Sequence, residues 1–204
     1  TFASGMSNGA EMSYMLSCFA SETFKAIAPV AGTMFGESWT DCMSEPKPVL
    51  EIHGTNDNVT LWDGAPNDTY WGPYPGTEEV IDYWADLNGC NSNENLLLPN
   101  FNTIKHRYYD CIDDIEVWLY EVVNGGHDWP TYASQEIWNF FANFIDSIIG
   151  DLNYDDSVDI LDVIILVNHI LSPATVELDG SDINNDGQVN VLDVVALVNI
   201  IIGG

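Results

Sequence analysis

The 204-residue chain carries 32 Asp and Glu against 4 Lys and Arg, a formal net charge of −28, with 46% apolar and 12% aromatic residues. A disordered acidic tail would have few aromatics, so this charge lies on the surface of something folded. Recognition of nucleic acid depends on Lys and Arg that neutralise phosphates, which excludes nucleic acid and anionic membranes as partners, and no apolar stretch reaches the roughly 20 residues of a bilayer span.

In chain order, a strand-like end at Thr1 to Ala3 leads into Gly5-Met6-Ser7-Asn8-Gly9, after which Met12, Met15, Leu16 and Phe19 share one helical face. Ala26 to Val30 and Val49 to His53 are short apolar runs that end at Gly-containing turns, as buried parallel strands do. Thr77 to Leu87 opens with a capping residue and two acids and predicts a helix. Ile115 to Val123 is a longer apolar run, and Ile137, Phe140, Phe141, Phe144 and Ile148 form a stripe after Ser134 that predicts a last helix. Strand and helix in alternation argue for an α/β sheet.

Cys18, Cys42, Cys90 and Cys111 are an even set that fits two disulfides and an oxidising, extracellular compartment. Three pairings are open, and adjacency favours Cys18 with Cys42 and Cys90 with Cys111. The chain opens at Thr1 without a charged-then-apolar leader, and the expectation is a fragment or a processed product.

After Ile149 the composition changes. Residues 1 to 149 hold all four Lys and Arg and 22 acids, whereas residues 150 to 204 hold 10 acids and no Lys or Arg. The second stretch also repeats. A shift of 31 residues lays Asp151, Asn153, Asp155, Val158, Leu161, Asp162 and Leu166 onto Asp182, Asn184, Asp186, Val189, Leu192, Asp193 and Leu197. Two domains follow, 1–149 and 150–204, the latter a duplicated loop-plus-helix unit.

The G-x-S-x-G at Gly5 to Gly9 sits between a strand and a helix, where a nucleophilic Ser can occupy a strained turn kept clear by small neighbours. A hydroxyl of this kind needs a His to take its proton and a carboxylate to hold the His tautomer. Asp57 and His127 both lie at turns after predicted strands, and the order Ser, Asp, His is that of α/β-hydrolases. Asn8, next after the nucleophile, offers a backbone N–H to an oxyanion. His53 reads as a hydrogen-bonded structural residue, His106 and His169 as surface or packing residues, and none of them as a transition-metal ligand.

Gly-Met-Ser-Asn-Gly (5–9), Ala-Ile-Ala-Pro-Val-Ala-Gly (26–32), His-Gly-Thr-Asn-Asp (53–57), Tyr-Trp-Ala-Asp-Leu-Asn-Gly-Cys (83–90) and Gly-Gly-His-Asp-Trp-Pro (125–130) together resemble the polyhydroxybutyrate depolymerase-like esterases, a group that includes feruloyl and acetylxylan esterases. The resemblance covers most of residues 1–149. It implies a secreted serine carboxylesterase with Ser7 as nucleophile, Asp57 as acid and His127 as base, without a catalytic cofactor. Against that family the chain starts at the end of the nucleophile strand, so the expectation is the C-terminal half of the sheet, without the loop that supplies a second oxyanion donor. Among the aromatics, Trp129 is expected to line the site, and Trp62, Tyr70, Trp71 and Tyr74 either stack on a feruloyl group or sugar or pack their own loop.

In the tail, Asp151, Asn153, Asp155 and Asp162 stand at positions 1, 3, 5 and 12 of a calcium loop, and Asp182, Asn184, Asp186 and Asp193 repeat the set, with backbone carbonyls of Ser157 and Gln188 at position 7. Position 6 needs a sharp turn, which Gly187 suits and Asp156 tolerates. Each loop ends in Asp and is followed by one helix, so residues 150–204 resemble a type I dockerin. That implies two Ca²⁺ ions and a cohesin-like scaffold partner. The pairs Ile160-Leu161 and Val191-Leu192 stand where dockerins usually carry small polar residues, a departure that bears on the partner. The reading is an α/β-hydrolase acting on esters of plant or algal polysaccharide, joined to a small all-α calcium-binding module; the alternatives are a polyester depolymerase and an inert calcium-dependent binding protein.

Overall fold

A computed structural model describes residues 1–204 except 100, 146, 147, 156, 173–177, 179 and 204. It divides into two compact units, Thr1–Phe144 and Ile145–Gly204.

The first unit is built on one six-stranded sheet. Its strands are β1 (Phe2–Met6), β2 (Ala26–Val30), β3 (Val49–Gly54), β4 (Ser92–Leu97), β5 (Thr103–Tyr109) and β6 (Val117–Val122), in the spatial order β1-β2-β3-β6-β5-β4. β1, β2, β3 and β6 run parallel, whereas β5 is antiparallel to both β6 and β4. The helices are α1 (Asn8–Phe19), the short α2 (Glu37–Thr40), α3 (Thr77–Leu87) and α4 (Ala133–Ala142).

Alternation along the strands decides the two faces. Ala26, Ala28 and Val30 of β2, with Leu50 and Ile52 of β3, pack against Ile137, Phe140 and Phe141 of α4. Ile27 and Val49 point the other way, to Tyr14 and Cys18 of α1 and to Val80, Ile81 and Trp84 of α3. β2 and β3 are buried along their whole length, as strands covered on both faces must be. Glu51 and His53, in step with Val49, are thereby carried into the interior on the α1 side, a polar pair inside an apolar strand.

The disulfides are Cys18–Cys42 and Cys90–Cys111, the pairing that adjacency favours. The last helix is shorter than its apolar stripe. α4 ends at Ala142 because the Asn143 amide donates to the carbonyls of Asn139 and Phe140 and captures the free end of the helix. Phe144 still packs on the core from beyond that end, while Ile148 lies in the second unit.

The second unit consists of α5 (Ile160–Leu171) and α6 (Val191–Ile201), each entered from an acidic loop. Leu152, Leu166 and Leu197 form its buried centre. Both helices start with the same device: Asp159 and Asn190 accept the N–H of Leu161 and Leu192, and Asp162 and Asp193 reach back to the N–H of Asp159 and Asn190. The 31-residue sequence repeat is thus a repeat of local structure.

Candidate active site

Ser7 follows β1 and precedes α1, with φ 55° and ψ −120°, the left-handed half of the map that non-glycine residues avoid. Its N–H donates to the carbonyl of Val30 and its carbonyl accepts from Ala10, so the turn is fixed at both ends. The flanking small residues are needed for this: a Cβ on Gly5 would stand 2.8 Å from the Cα of Gly9, and one on Gly32 would stand 2.3 Å from the Cβ of Ala10. Asn8 begins α1, so its N–H lacks an intrahelical acceptor.

Asp57 lies in the turn after β3 and is buried. Its Oδ1 accepts the N–H groups of Val59 and Thr60 at 2.8 and 2.9 Å, and its Oδ2 stands 2.8 Å from His127 Nδ1. His127 is in the loop after β6, and that loop is tied to the Asp57 turn: Thr55 N–H donates to Val122 O, Asn56 N–H to Gly125 O and Asn124 N–H to Thr55 Oγ1. An Asp on Nδ1 fixes the tautomer and leaves Nε2 without a hydrogen and able to accept one. Ser7, Asp57 and His127 therefore all project from the C-terminal ends of parallel strands of one sheet, where open α/β sheets bind ligands. Among the described residues Ser7 and His127 are not hydrogen-bonded to each other, and such nucleophile–base bonds commonly tighten only with substrate bound. Glu11 of α1 is close enough for His127 to act on its charge: burial raises the Glu11 carboxyl, and His127 partly lowers it again.

A cleft of about 880 Å³ is lined by Phe35, Trp39, Pro66, Trp71, Tyr74 and Pro75, with Asp63 and Glu79 as acids on its wall. Phe35, Trp71 and Tyr74 also line a smaller cavity shared with Ser7, Asn8, Glu11 and Thr60, so the aromatic wall is continuous with Ser7. Asp68 Oδ1 accepts the N–H groups of Tyr70, Trp71 and Gly72 and holds the turn that presents Trp71. Neither Trp62 nor Trp129 lines these cavities. Trp62 packs on the α1/α3 core with its ring edge-on to His53 at 6.0 Å, and Trp129 is part-exposed with its indole N–H on Ser134 Oγ at 3.2 Å. Of the aromatics for which stacking and loop packing both stood open, Trp71 and Tyr74 are the ones on the cleft wall, and the local signal for Trp71 is the Asp three residues ahead of it.

In the second unit Asp155 N–H lies against Asp151 and Asn153, and Asp186 N–H against Asp182 and Asn184, so position 5 is wrapped by positions 1 and 3 in both loops. Asp155 and Asp186 in turn accept the N–H groups of Ser157 and Gln188. Asp162 and Asp193 are fully buried and bonded to loop N–H groups. Tyr154 and Asn185, both at position 4, have φ near 60°, and Gly187 at position 6 has φ 83°; Asp156 falls outside the described residues. Among the described residues no three His, Cys, Asp or Glu side chains converge as a metal cluster, because the loop carboxylates face backbone N–H groups.

Residues 149–202 match the model of the dockerin type I domain. Over 132 residues, 62% of this chain, the sequence is 29% identical to feruloyl esterase B of Piromyces equi, covering 24% of that protein. It is 28% identical over 148 residues to probable feruloyl esterase C of Aspergillus niger and 26% identical over 148 residues to feruloyl esterase C of Emericella nidulans, in each case 69% of this chain and 48% of the relative. The chain thus spans about half or less of the length of these curated relatives. Among solved structures, the acetyl xylan esterase from Aspergillus awamori aligns over 69% of this chain and 58% of its own, at 16% identity and a TM-score of 0.46. No helix among the described residues is long and apolar enough to cross a membrane.

Proposed function

We propose that this chain, a unit homologous to feruloyl esterases followed by a dockerin type I domain, is part of an extracellular serine carboxylesterase acting on esters of plant or algal polysaccharide. The observation that carries the reading is the 2.8 Å contact of buried Asp57 with His127 at the same sheet end as the left-handed Ser7 turn. In this reading His127 Nε2 takes the Ser7 proton, Ser7 Oγ attacks the ester carbonyl, and the Asn8 N–H faces the oxyanion. His127 then protonates the leaving alcohol, and water, activated by the same nitrogen, hydrolyses the acyl-enzyme. The second oxyanion donor of this family stands on a loop ahead of the nucleophile strand, and we assign no residue of this chain to it. Trp71, Tyr74 and Phe35 offer flat faces to an aromatic acyl group or a sugar.

In the tail the candidate ligands fit Ca²⁺ by chemistry: all are hard oxygens, and Asp162 and Asp193 are buried carboxylates in a stretch, 150–204, without Lys or Arg. Asp151, Asn153, Asp155, Asp162 and the Ser157 carbonyl would hold one ion, and Asp182, Asn184, Asp186, Asp193 and the Gln188 carbonyl a second. Bound there, Ca²⁺ supplies the positive charge these loops lack. Attachment would be to a cohesin-like scaffold, through a surface that includes the exposed pairs Ile160-Leu161 and Val191-Leu192.

The test is hydrolysis of feruloylated arabinoxylan and of polyhydroxybutyrate by the protein and by its Ser7→Ala variant. Ferulate release that drops about 10⁴-fold or more in the variant is the expected result. Ser7-dependent clearing of the polyester instead moves the assignment to a depolymerase, and no Ser7-dependent hydrolysis of either leaves a calcium-dependent binding protein.

A further inference from the structure

Behind Asp57 lies a set of buried polar groups that the proposed mechanism does not use. Glu51 and His53 are both about 1% exposed, on the inward face of β3. Tyr14 of α1 donates its hydroxyl to Glu51 Oε2 at 2.8 Å, and Glu51 Oε1 stands 3.0 Å from His53 Nδ1. On the far side of the ring, His53 Nε2 is 2.9 Å from the carbonyl of Thr60 and 3.5 Å from Asp57 Oδ2. The same Thr60 gives its N–H to Asp57 Oδ1.

A carbonyl oxygen can only accept, so Nε2 must carry a hydrogen. A carboxylate that already accepts from Tyr14 and faces Nδ1 is best served by a second hydrogen on that nitrogen. We propose that Glu51 holds His53 as a doubly protonated imidazolium, and that this cation, gripping Thr60 and facing Asp57 Oδ2, is the positioning residue that sets Asp57 toward His127. The inference rests on the assignment of Asp57 and His127 as the acid–base pair.

Charge alternates along the row: Glu51 negative, His53 positive, Asp57 negative, and His127 positive when it holds the Ser7 proton. A carboxylate buried near Asp57 would by itself repel it; the imidazolium between them removes that repulsion. The titratable groups facing His53 are Glu51 on its own strand and Asp57 in the next turn, and Tyr14 reaches it through Glu51. Burial works against the charged ring, but Glu51, Thr60 and Asp57 together outweigh it, and His53 holds its proton above the ordinary histidine range. Tyr14, buried beside the Glu51 carboxylate, is pushed well above the usual phenol range and stays a donor.

The chain has four His, so nitrogen-15 NMR of the imidazole rings reads the state of His53 directly in the intact chain. One ring should carry both hydrogens at pH 7.5, in slow exchange with water, and lose the second in Glu51→Gln, a substitution of equal shape that also assigns the signal. A His53 ring with a single hydrogen at pH 7.5 overturns the proposal. In the pH profile of Ser7-dependent hydrolysis, His53→Gln removes the cation beside Asp57 while the Glu51 carboxylate stays, so His127 keeps its proton to higher pH, and the acid limb of kcat/KM should move up by about one pH unit, the effect of a unit charge a side chain away at an effective dielectric near 20. Glu51→Gln removes a negative charge together with the proton it holds on His53 and should move the limb in the same direction but by less. A lower rate with an unmoved limb means a merely structural role and overturns the proposal. Hydrolysis indifferent to Ser7→Ala would defeat the esterase reading and leave the NMR result standing on its own.

Discussion

In Thr1–Phe144 the buried carboxylates meet side chains that balance them: Glu51 faces Tyr14 and His53, and Asp57 faces His127. In Ile145–Gly204 the equally buried Asp162 and Asp193 meet backbone N–H groups, and residues 150–204 contain no Lys or Arg at all. The first unit also has two disulfides and a core on both faces of its sheet, whereas the second gathers around Leu152, Leu166 and Leu197. The first unit thus sets side chains and cross-links of its own around its buried carboxylates, while the second sets backbone N–H groups there, whose partial charges leave room for the cations proposed above.

The largest expected effect comes from removing those cations. An ion bound at about 100 times its Kd adds roughly 2.7 kcal/mol to the stability of the state that binds it, which for so small a core is the difference between folded and unfolded. Excess EGTA should abolish the helical circular dichroism of α5 and α6 and leave the unfolding transition of the first unit in place. A helical signal untouched by chelator would show that the second unit is as self-sufficient as the first. Leu166→Ala or Leu197→Ala should raise the calcium concentration needed for folding, since deleting such a buried side chain costs about 2–5 kcal/mol.

The reciprocal experiment acts on the first unit. Cys18–Cys42 closes 24 residues of chain, and the joint change Cys18→Ala with Cys42→Ala should cost about 3 kcal/mol, read as a lower Tm of the first transition alone. Gly32→Ala is a smaller version of the same test. Its Cβ would collide with that of Ala10 under the Ser7 turn, and about 1–3 kcal/mol of overpacking strain is expected, with activity falling more than stability because the turn itself shifts.

Much of this was legible in the sequence. β2 and β3 show as apolar runs because both faces are covered, and the paired acidic loops show because they repeat at 31 residues. The β4–β5 hairpin was missed for the opposite reason. Ser92–Leu97 is an edge strand, mostly exposed and polar, and such edges lose the hydrophobic signal; β5, next to it, presents Lys105, His106 and Arg107 to partners rather than an apolar stripe. Asp57 and His127 could be read from their positions after strands, but Glu51 could not, since in sequence it is an interruption of an apolar run whose partners, Tyr14 and His53, are set by the packing of α1 on β3. Nor does sequence say which aromatic faces the cleft, because the Asp68 turn aims Trp71 into it while His53 and α3 draw Trp62 inward.

The smallest effect on stability and the finest test of the site is that last distinction. Trp71 is 58% exposed, its N–H is held by Asp68 and its ring meets edge-on the still more exposed Tyr70, so Trp71→Ala should change the first transition by about 0.5 kcal/mol or less. If its ring stacks on substrate, KM should rise by roughly 5- to 10-fold, the equivalent of the 1–1.5 kcal/mol of an aromatic pair, with kcat little changed. Trp62→Ala should do the reverse. Its ring supports His53 and the α1/α3 core, and its loss should lower Tm and kcat together while leaving KM near its starting value. Trp129→Ala, away from the cleft lining and with its indole N–H on Ser134, separates the two outcomes: a KM effect as large as that of Trp71 would place the acyl group on the His127 side of Ser7 instead.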